Sequence, residues 1–598
     1  MLKPCALPLL LGCLSLACAG APPGRGASTA RGPRIAVRFP KSLSETPLDG
    51  RVLVALVRAR ADSTSTLPPI DQLSDEDDSA QLFGLDVEAL APEEAAVIDG
   101  SRLGYPLPSL SALPAGDYLA QAVLHRYQTF TRSDGHTVKL PPDRGEGQDW
   151  RTAPGNLISA ITRVHIDPDI NADLDIELAR ALPQLPEEPD TNYVKHIRIK
   201  SERLSAFWGT PVHLGAIVLL PEGFASHPQA HYPLVIEHGH FEREVVGFRE
   251  QPPEEGLPPV DLDGLNRDCP TGHEKEACAN HGYERFEEEQ GYANYRLWTG
   301  RDFPRVLGVS IQHANPYYDD SYAVNSENLG PYGDAITYEL IPYIEKTYRG
   351  LGPWARGLMG GSTGGWESLA AQVFYPTEYN GAVANCPDPI DFRSYMTIDL
   401  YTDRNAYYHE GPFRRTPRPA SRDAQGETLS TVEQENHEEL VVGTHGRSGG
   451  QWDIWQAVYS PRGMDGYPQP IWEKLTGDID PQVAAYWREH YDLGHILARD
   501  WARLGPLLRG KISINVGLAD DYFLNNAVYR VEEFLQTASP PADAQFDYGL
   551  RDGHCWSGDH LHKNFQSRLT YRERFIPRFV EHWLKTAPAG ADLTSWRY

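Results

Sequence analysis

The chain has 598 residues, with 55 basic against 82 acidic side chains and a net charge of −27 when histidine is neutral. So large an acidic surplus excludes a nucleic-acid binder, which needs a basic footprint, and excludes an electrostatic grip on anionic lipid. The length exceeds what one hydrophobic core organises, so more than one domain is expected.

Residues 1–18 read as an export signal. Lys3 is followed by the apolar stretch Ala6–Ala17, which is too short to cross a bilayer. The stretch ends in Leu14-Ser15-Leu16-Ala17-Cys18, the pattern of a bacterial lipoprotein signal with Cys18 as the lipid-bearing first mature residue. Ordinary cleavage near Ala19-Gly20-Ala21 is the alternative. Residues 19–33, rich in Gly, Pro, Ala and Arg, form a flexible tether. The expected location is therefore exported, either held in the cell envelope by the lipid or secreted. A lipid anchor is the only membrane contact expected.

Residues 34–181 alternate short β-like runs with turns: Arg34–Phe39, Arg51–Val57, Tyr118–Phe130, Asn156–Ile166 and Ala172–Leu178. Few helical runs interrupt them, which predicts an antiparallel β-sandwich domain. The spaced acids of Asp169–Leu178 lack the glycine and closing glutamate of a calcium loop, so they read as a half-buried strand. A Pro/Glu linker at 182–192 closes this part.

From residue 193 onward the pattern changes to α/β. Strand runs fall at Val194–Lys200, Val212–Leu220, Tyr232–Glu237, Val306–Gln312, Ala355–Gly360, Gly381–Asn385, Lys511–Val516 and Gln545–Leu550. Helical runs fall at Ala335–Arg349, Thr363–Tyr375, Leu524–Gln536 and Phe565–Leu584. The alternation implies a mostly parallel sheet covered on both faces. Insertions at about 242–280 and 387–510 break the rhythm. The second is too long for a bare connection and carries Tyr407, Tyr408, Trp452, Trp455, Trp472 and Trp487, so a partly helical cap is expected. Its tryptophans read as core ahead of a substrate platform.

The chemistry centres on Gly360-Gly361-Ser362-Thr363-Gly364, between a short strand run and a helix-like run. This is the G-x-S-x-G turn, in which glycines at 360 and 364 let a strained serine stand exposed at a strand's end. With 53 glycines in the chain the pentapeptide alone is weak, and Gly446–Gly450 around Ser448 matches it too. No buried strand feeds that second match, so Ser448 reads as a loop serine. A serine nucleophile needs a base and a carboxylate to orient it. In an α/β-hydrolase these follow the serine as acid and then histidine, each after a late strand. Asp520 follows the run Lys511–Val516, and His554 follows Phe546–Leu550, so Ser362, Asp520 and His554 are the candidate triad. Asp521 competes with Asp520, and His560 and His562 compete with His554. His238 and His240 could hold a metal, but no acid or cysteine at ligand spacing supports them; neither metal nor organic cofactor is expected.

The elbow, followed by Phe374-Tyr-Pro-Thr-Glu-Tyr379 and the strand Gly381-Ala-Val-Ala-Asn385, resembles the putative-esterase (esterase D and enterochelin esterase-like) family of α/β-hydrolases. Tyr232-Pro-Leu-Val-Ile-Glu-His-Gly239-His240, Gly517-x-x-Asp520 and Gly553-His554 are similar to its oxyanion turn, acid and histidine positions. The likeness covers roughly Val194 to the C-terminus, apart from the two insertions. It implies a fold and a set of roles. Ser362 attacks, His554 is the base, Asp520 orients it, and the backbone N–H groups of Thr363 and His240 form the oxyanion hole. It implies a carboxylic-ester hydrolase acting on a small-molecule or glycan ester, through a carbohydrate, aromatic or siderophore ester linkage. A serine peptidase and a non-catalytic surface binding lipoprotein are the rival readings.

Three of the seven cysteines lie in the leader, leaving Cys269, Cys278, Cys386 and Cys555. Cys269 and Cys278 lie close together in a polar loop and are expected to pair. Cys386 ends one strand and Cys555 follows His554. In an open parallel sheet both strand ends face the same crevice, so a Cys386–Cys555 disulfide is expected.

Overall fold

The computed structural model describes residues 32–59, 67–74, 79–142, 149–170, 173–240, 243, 245–268 and 281–598. Cys18, Cys269 and Cys278 lie outside them, as does the signal segment. Among the described residues no helix is long and apolar enough to cross a membrane.

Among the described residues the N-terminal part is mostly β, and ten strands join in one ladder, largely antiparallel, around two long neighbours, Leu48–Arg58 and Gly116–Thr131. The latter serves three partners in turn: Thr162–Ile166 at its start, Leu157–Ser159 in the middle and Thr137–Leu140 at its end. The run expected as one strand at Asn156–Ile166 is thus two. Alternation fills both faces. Val52, Val54, Leu56, Ala120, Ala122 and Leu124 enter one core, while Leu53, Ala55 and Val123 enter another. The strand Gln81–Leu90, pairing with Leu48–Arg58, was not legible because Gly84 interrupts it. That glycine is there for close approach: a Cβ would lie 2.2 Å from the Val441 carbonyl oxygen.

The second sheet has eight strands among the described residues: β1 (Val194–Ser201), β2 (Val212–Leu219), β3 (Leu234–His238), β4 (Leu307–Gln312), β5 (Arg356–Gly361), β6 (Ala382–Asn385), β7 (Ile512–Gly517) and β8 (Gln545–Gly549). They lie in the order β1-β2-β4-β3-β5-β6-β7-β8, with β2 antiparallel to both its neighbours and the pairs from β4 to β8 parallel. This is a mixed α/β sheet of α/β-hydrolase type.

The helices that position the site are α1 (Tyr283–Trp298), α2 (Ile341–Tyr348), α3 (Thr363–Phe374), α4 (Val432–Val442), α5 (Gln451–Tyr459), α6 (Pro481–His490), α7 (Leu493–Leu508), α8 (Asn525–Thr537) and α9 (Tyr571–Thr586). One face of the sheet is covered by α1 and α9, where Trp298, Phe575, Ile576, Phe579 and Trp583 meet Val235, Met359 and Val383. Residues of α2, α3, α7 and α8 cover the other face. The helix expected at Ala335–Arg349 is broken by a π-helical turn at Ile336–Leu340. It falls just before Pro342, which has no N–H to give to residue 338.

The long connection from β6 to β7 contains α4–α7 and short hairpins. Trp452, Trp455, Trp472 and Trp487 are all buried and continuous with the main core. The core reading of these tryptophans therefore holds. This segment also touches the first sheet. Arg51, 4 % exposed, donates to the Val441 carbonyl at 2.8 Å and pairs with Asp86 at 3.0 Å. Val441 and Val442 enter the core of the first sheet's outer face.

Candidate active site

Ser362 stands between β5 and α3 with φ 56° and ψ −121°, a strained conformation for any residue with a side chain. Glycine at the flanks is a steric requirement. A Cβ on Gly364 would lie 2.0 Å from the His238 oxygen, and one on Gly360 would lie 2.4 Å from the Gly364 oxygen. Strain gathers around this point: Tyr322 (φ 57°), Cys386 (φ 38°) and Cys555 (φ 60°) also take positive φ.

The structure brings the three candidate residues together. Ser362 Oγ is 3.0 Å from His554 Nε2, and His554 Nδ1 is 3.0 Å from Asp520 Oδ2. Asp520 is wholly buried after β7, where its Oδ1 accepts the backbone N–H groups of Tyr522 at 3.0 Å and Leu524 at 3.2 Å. Its carboxylate is therefore fixed toward the imidazole. Asp521 has a different part: its carboxylate accepts the His554 backbone N–H at 3.1 Å. His560 and His562 pair with Asp547 and Asp559 on the exposed side. Among the described residues no histidine bonds Ser448; its Oγ accepts the Gly450 N–H at 3.0 Å in the turn before α5.

Burial disfavours a charged His554, but the Cys555 sulfur and the Asp520 carboxylate beside it favour one. Its pKa stands well above the ordinary 6.5. A neutral ring holding its hydrogen on Nδ1 toward Asp520 presents the Nε2 lone pair to the serine proton.

His240 lies in the turn after β3, whose carbonyl at His238 packs on the first turn of α3. Its ring nitrogen Nδ1 sits 3.2 Å from Asp319 Oδ1 and 3.1 Å from Asp320 Oδ2. Loss of solvent opposes a charge on the ring, yet the two carboxylates outweigh it and hold the His240 pKa well above the usual value. The side chain thus clamps the turn whose backbone N–H was expected in the oxyanion hole. Thr363 is the first residue of α3, directly after the serine, and its hydroxyl lies buried.

His238 and His240 fall into separate clusters. His238 is buried beside His313 and Glu367, with His238 Nδ1 3.6 Å and His313 Nε2 3.5 Å from the Glu367 carboxyl oxygens. Three such groups could surround a cation, but the tautomer argues against it. His313 Nδ1 accepts the Ser321 N–H at 2.9 Å, so Nε2 carries the ring hydrogen and has no lone pair for a metal. Burial keeps the group neutral, driving Glu367 well up and lowering His238 to about 3.

The expected Cys386–Cys555 disulfide is not shown: the two side chains stand beside one another, both sulfurs packing against Gly361. Cys386 Sγ also accepts the Ser362 N–H at 3.1 Å. Burial pushes the Cys386 thiol pKa well up.

Sequence reasoning missed Asp388. It follows β6 in Cys386-Pro387-Asp388, is 3 % exposed, and places Oδ1 3.2 Å from Ser362 Oγ. Tyr322, Trp455 and Gln451, also unassigned from sequence, gather around it. The one available signal was an acid just past a strand's carboxyl end, where open α/β sheets bind ligands.

A serine whose proton can pass to an oriented imidazole, on an α/β-hydrolase sheet, defines the class: a serine hydrolase. The family model described as "Putative esterase" matches residues 306–576, the segment that holds Ser362, Asp520 and His554, and that match with the site's geometry supports a serine esterase. No curated protein sequence matches it. Among solved structures, a ferulic acid esterase is similar at 14 % identity, covering 65 % of this chain and 100 % of that one with a TM-score of 0.33. An S-formylglutathione hydrolase from Agrobacterium tumefaciens is similar at 12 % identity, covering 66 % and 98 %, TM-score 0.30. The fluorophosphonate-binding serine hydrolase FphF from Staphylococcus aureus stands at 14 % identity, 64 % and 97 %, also with a TM-score of 0.30.

Proposed function

We propose that the chain hydrolyses a carboxylic ester outside the cytoplasm, through an acyl-enzyme on Ser362. The observation that carries this reading is the continuous contact from Ser362 Oγ through His554 to Asp520, each link 3.0 Å. As the serine oxygen bonds to the carbonyl carbon, its proton moves to His554 Nε2. The imidazolium then gives that proton to the leaving alcohol oxygen, and water repeats the sequence to free the acid. Asp520 keeps the ring in the working tautomer and stabilises its charged form. The N–H groups of Thr363 and His240 meet the developing oxyanion, each worth on the order of 3 kcal/mol.

Residues 34–181 form a β-sandwich domain, residues 193–598 the catalytic domain, and residues 387–510 a cap over the crevice. The leader ending at Cys18 supports export, with lipid anchoring or release by ordinary cleavage. The substrate class is an ester of a carbohydrate, an aromatic acid or a siderophore. The test is pre-steady-state hydrolysis of p-nitrophenyl acetate. A stoichiometric burst of nitrophenol that Ser362→Ala abolishes and Ser448→Ala retains is expected. A burst that survives Ser362→Ala would refute the reading.

A further inference from the structure

Asp388 takes no part in the scheme above, yet its Oδ1 lies 3.2 Å from the attacking oxygen. Its other oxygen is fully occupied. Oδ2 accepts Tyr322 OH at 2.7 Å, Thr363 Oγ1 at 3.2 Å and Trp455 Nε1 at 3.2 Å. Oδ1 has only the Ser362 hydroxyl among the described residues, and shares its one hydrogen with His554 Nε2. The surroundings offer little solvent as a substitute, since Asp388, Tyr322 and Trp455 are each no more than 3 % exposed.

That contact cannot outlast acylation. When the Oγ–carbon bond forms, the serine hydrogen leaves through His554 Nε2 to the departing alcohol, and Oγ becomes an ester oxygen with nothing to donate. Oδ1 would then be a buried acceptor facing another acceptor, an unfavourable state unless a new donor arrives. The direction from which one can come is restricted. Of the groups on the tetrahedral carbon, the oxyanion points to the Thr363 and His240 N–H groups and the leaving oxygen points to His554. The acyl chain takes what remains.

Building on the acyl-enzyme reading, we propose that Asp388 reads the acyl chain, and that the substrate is an ester of an acid bearing a hydroxyl or N–H on the carbon next to the carbonyl. The lengths are compatible. A substituent on that carbon is three bonds from Oγ, about 3–4 Å away. A hydrogen bond from it to Oδ1 spans about 2.8 Å. With 3.2 Å between Oγ and Oδ1 the triangle closes. The same carboxylate ties the elbow to Tyr322 and to α5 through Trp455, so the reading group is held rigidly.

The test compares phenyl lactate with phenyl propionate, which differ by one hydroxyl on that carbon. Each kcat/KM is divided by the ester's rate with hydroxide to remove intrinsic reactivity. The wild type is expected to prefer lactate by at least about 10²-fold, as a site built to bond a hydroxyl does. In Asp388→Ala the ratio should fall to near one, and Asp388→Asn serves if the alanine variant fails to label with a fluorophosphonate and so has lost its fold. A wild-type ratio near one, with propionate hydrolysed, overturns the proposal and leaves the esterase reading standing. So does a high ratio unchanged in both variants. So too does a hydroxyl preference found only on the alcohol side, with 2-hydroxyethyl propionate favoured over propyl propionate. Absence of both hydrolysis and fluorophosphonate labelling in the wild type would instead strike the acyl-enzyme reading itself.

Discussion

Ser362 Oγ has one hydrogen and two acceptors within reach, His554 Nε2 at 3.0 Å and Asp388 Oδ1 at 3.2 Å. Only transfer to the imidazole leads to product, so the reaction requires a neutral His554. Because that ring's pKa is held well above 6.5, the sign is fixed: kcat/KM is lost as pH falls through a value above 6.5 and recovers on the alkaline side. A pH–rate profile of ester hydrolysis should show this acid limb. Asp520→Asn removes one of the charges that hold the pKa up. It should move the limb to lower pH and lower the plateau by roughly 10³–10⁴-fold, since the tautomer is lost too. A limb that stays in place would exclude Asp520 as the ring's partner. The triad was legible at this scale because each member ends a strand-like run. Asp388 was not. Its contacts come from Tyr322, Thr363 and Trp455, which lie 66, 25 and 67 positions away in the chain, and nothing local marks that convergence.

At the scale of elements, the elbow is set by two close approaches of backbone to backbone. Gly364→Ala would push a methyl against the His238 oxygen, now 2.0 Å from that position, and spread α3 from β3. A shift of about 1 Å at the nucleophile costs on the order of 10²-fold in rate. The expected outcome is therefore a folded protein, by circular dichroism, whose esterase rate falls at least that far. Full activity would mean that the His238–Gly239 turn can yield. The inner strands β3, β5, β6 and β7 were readable from sequence because they are buried on both faces almost throughout. The pairing of Gln81–Leu90 was hidden, since it depends on what lies opposite Gly84. The neighbouring cysteines show the same limit: the sequence places Cys386 and Cys555 at one crevice, but not that the Cys386 sulfur also accepts the Ser362 N–H.

Across the whole molecule, the first sheet is joined to the segment between β6 and β7 by buried polar groups. Arg51 reaches the Val441 and Leu440 carbonyls and Asp86, and Arg447 binds the same carboxylate at 3.2 Å. Arg51→Met would leave the Val441 and Leu440 carbonyls without this donor and Asp86 with Arg447 as its remaining arginine, at a cost of about 1–3 kcal/mol. Denaturant unfolding should show that loss of stability, together with lower esterase activity if the coupling carries through α4 to Trp452 and Trp455. An unchanged midpoint would mean that the two parts stand independently. The sequence separates residues 34–181 from 193–598 by their pattern of runs, and no run in either part announces that Val441 and Val442 complete a core begun by Leu53 and Val123.

The central claim is that Ser362 is an activated nucleophile. The most direct test is to treat the folded, full-length protein with a fluorophosphonate and map the adduct by peptide mass spectrometry. The expected result is one phosphonylated peptide containing Ser362, formed faster as pH rises above 6.5 and lost in His554→Ala. An adduct at Ser448, or none on a folded protein, would contradict it.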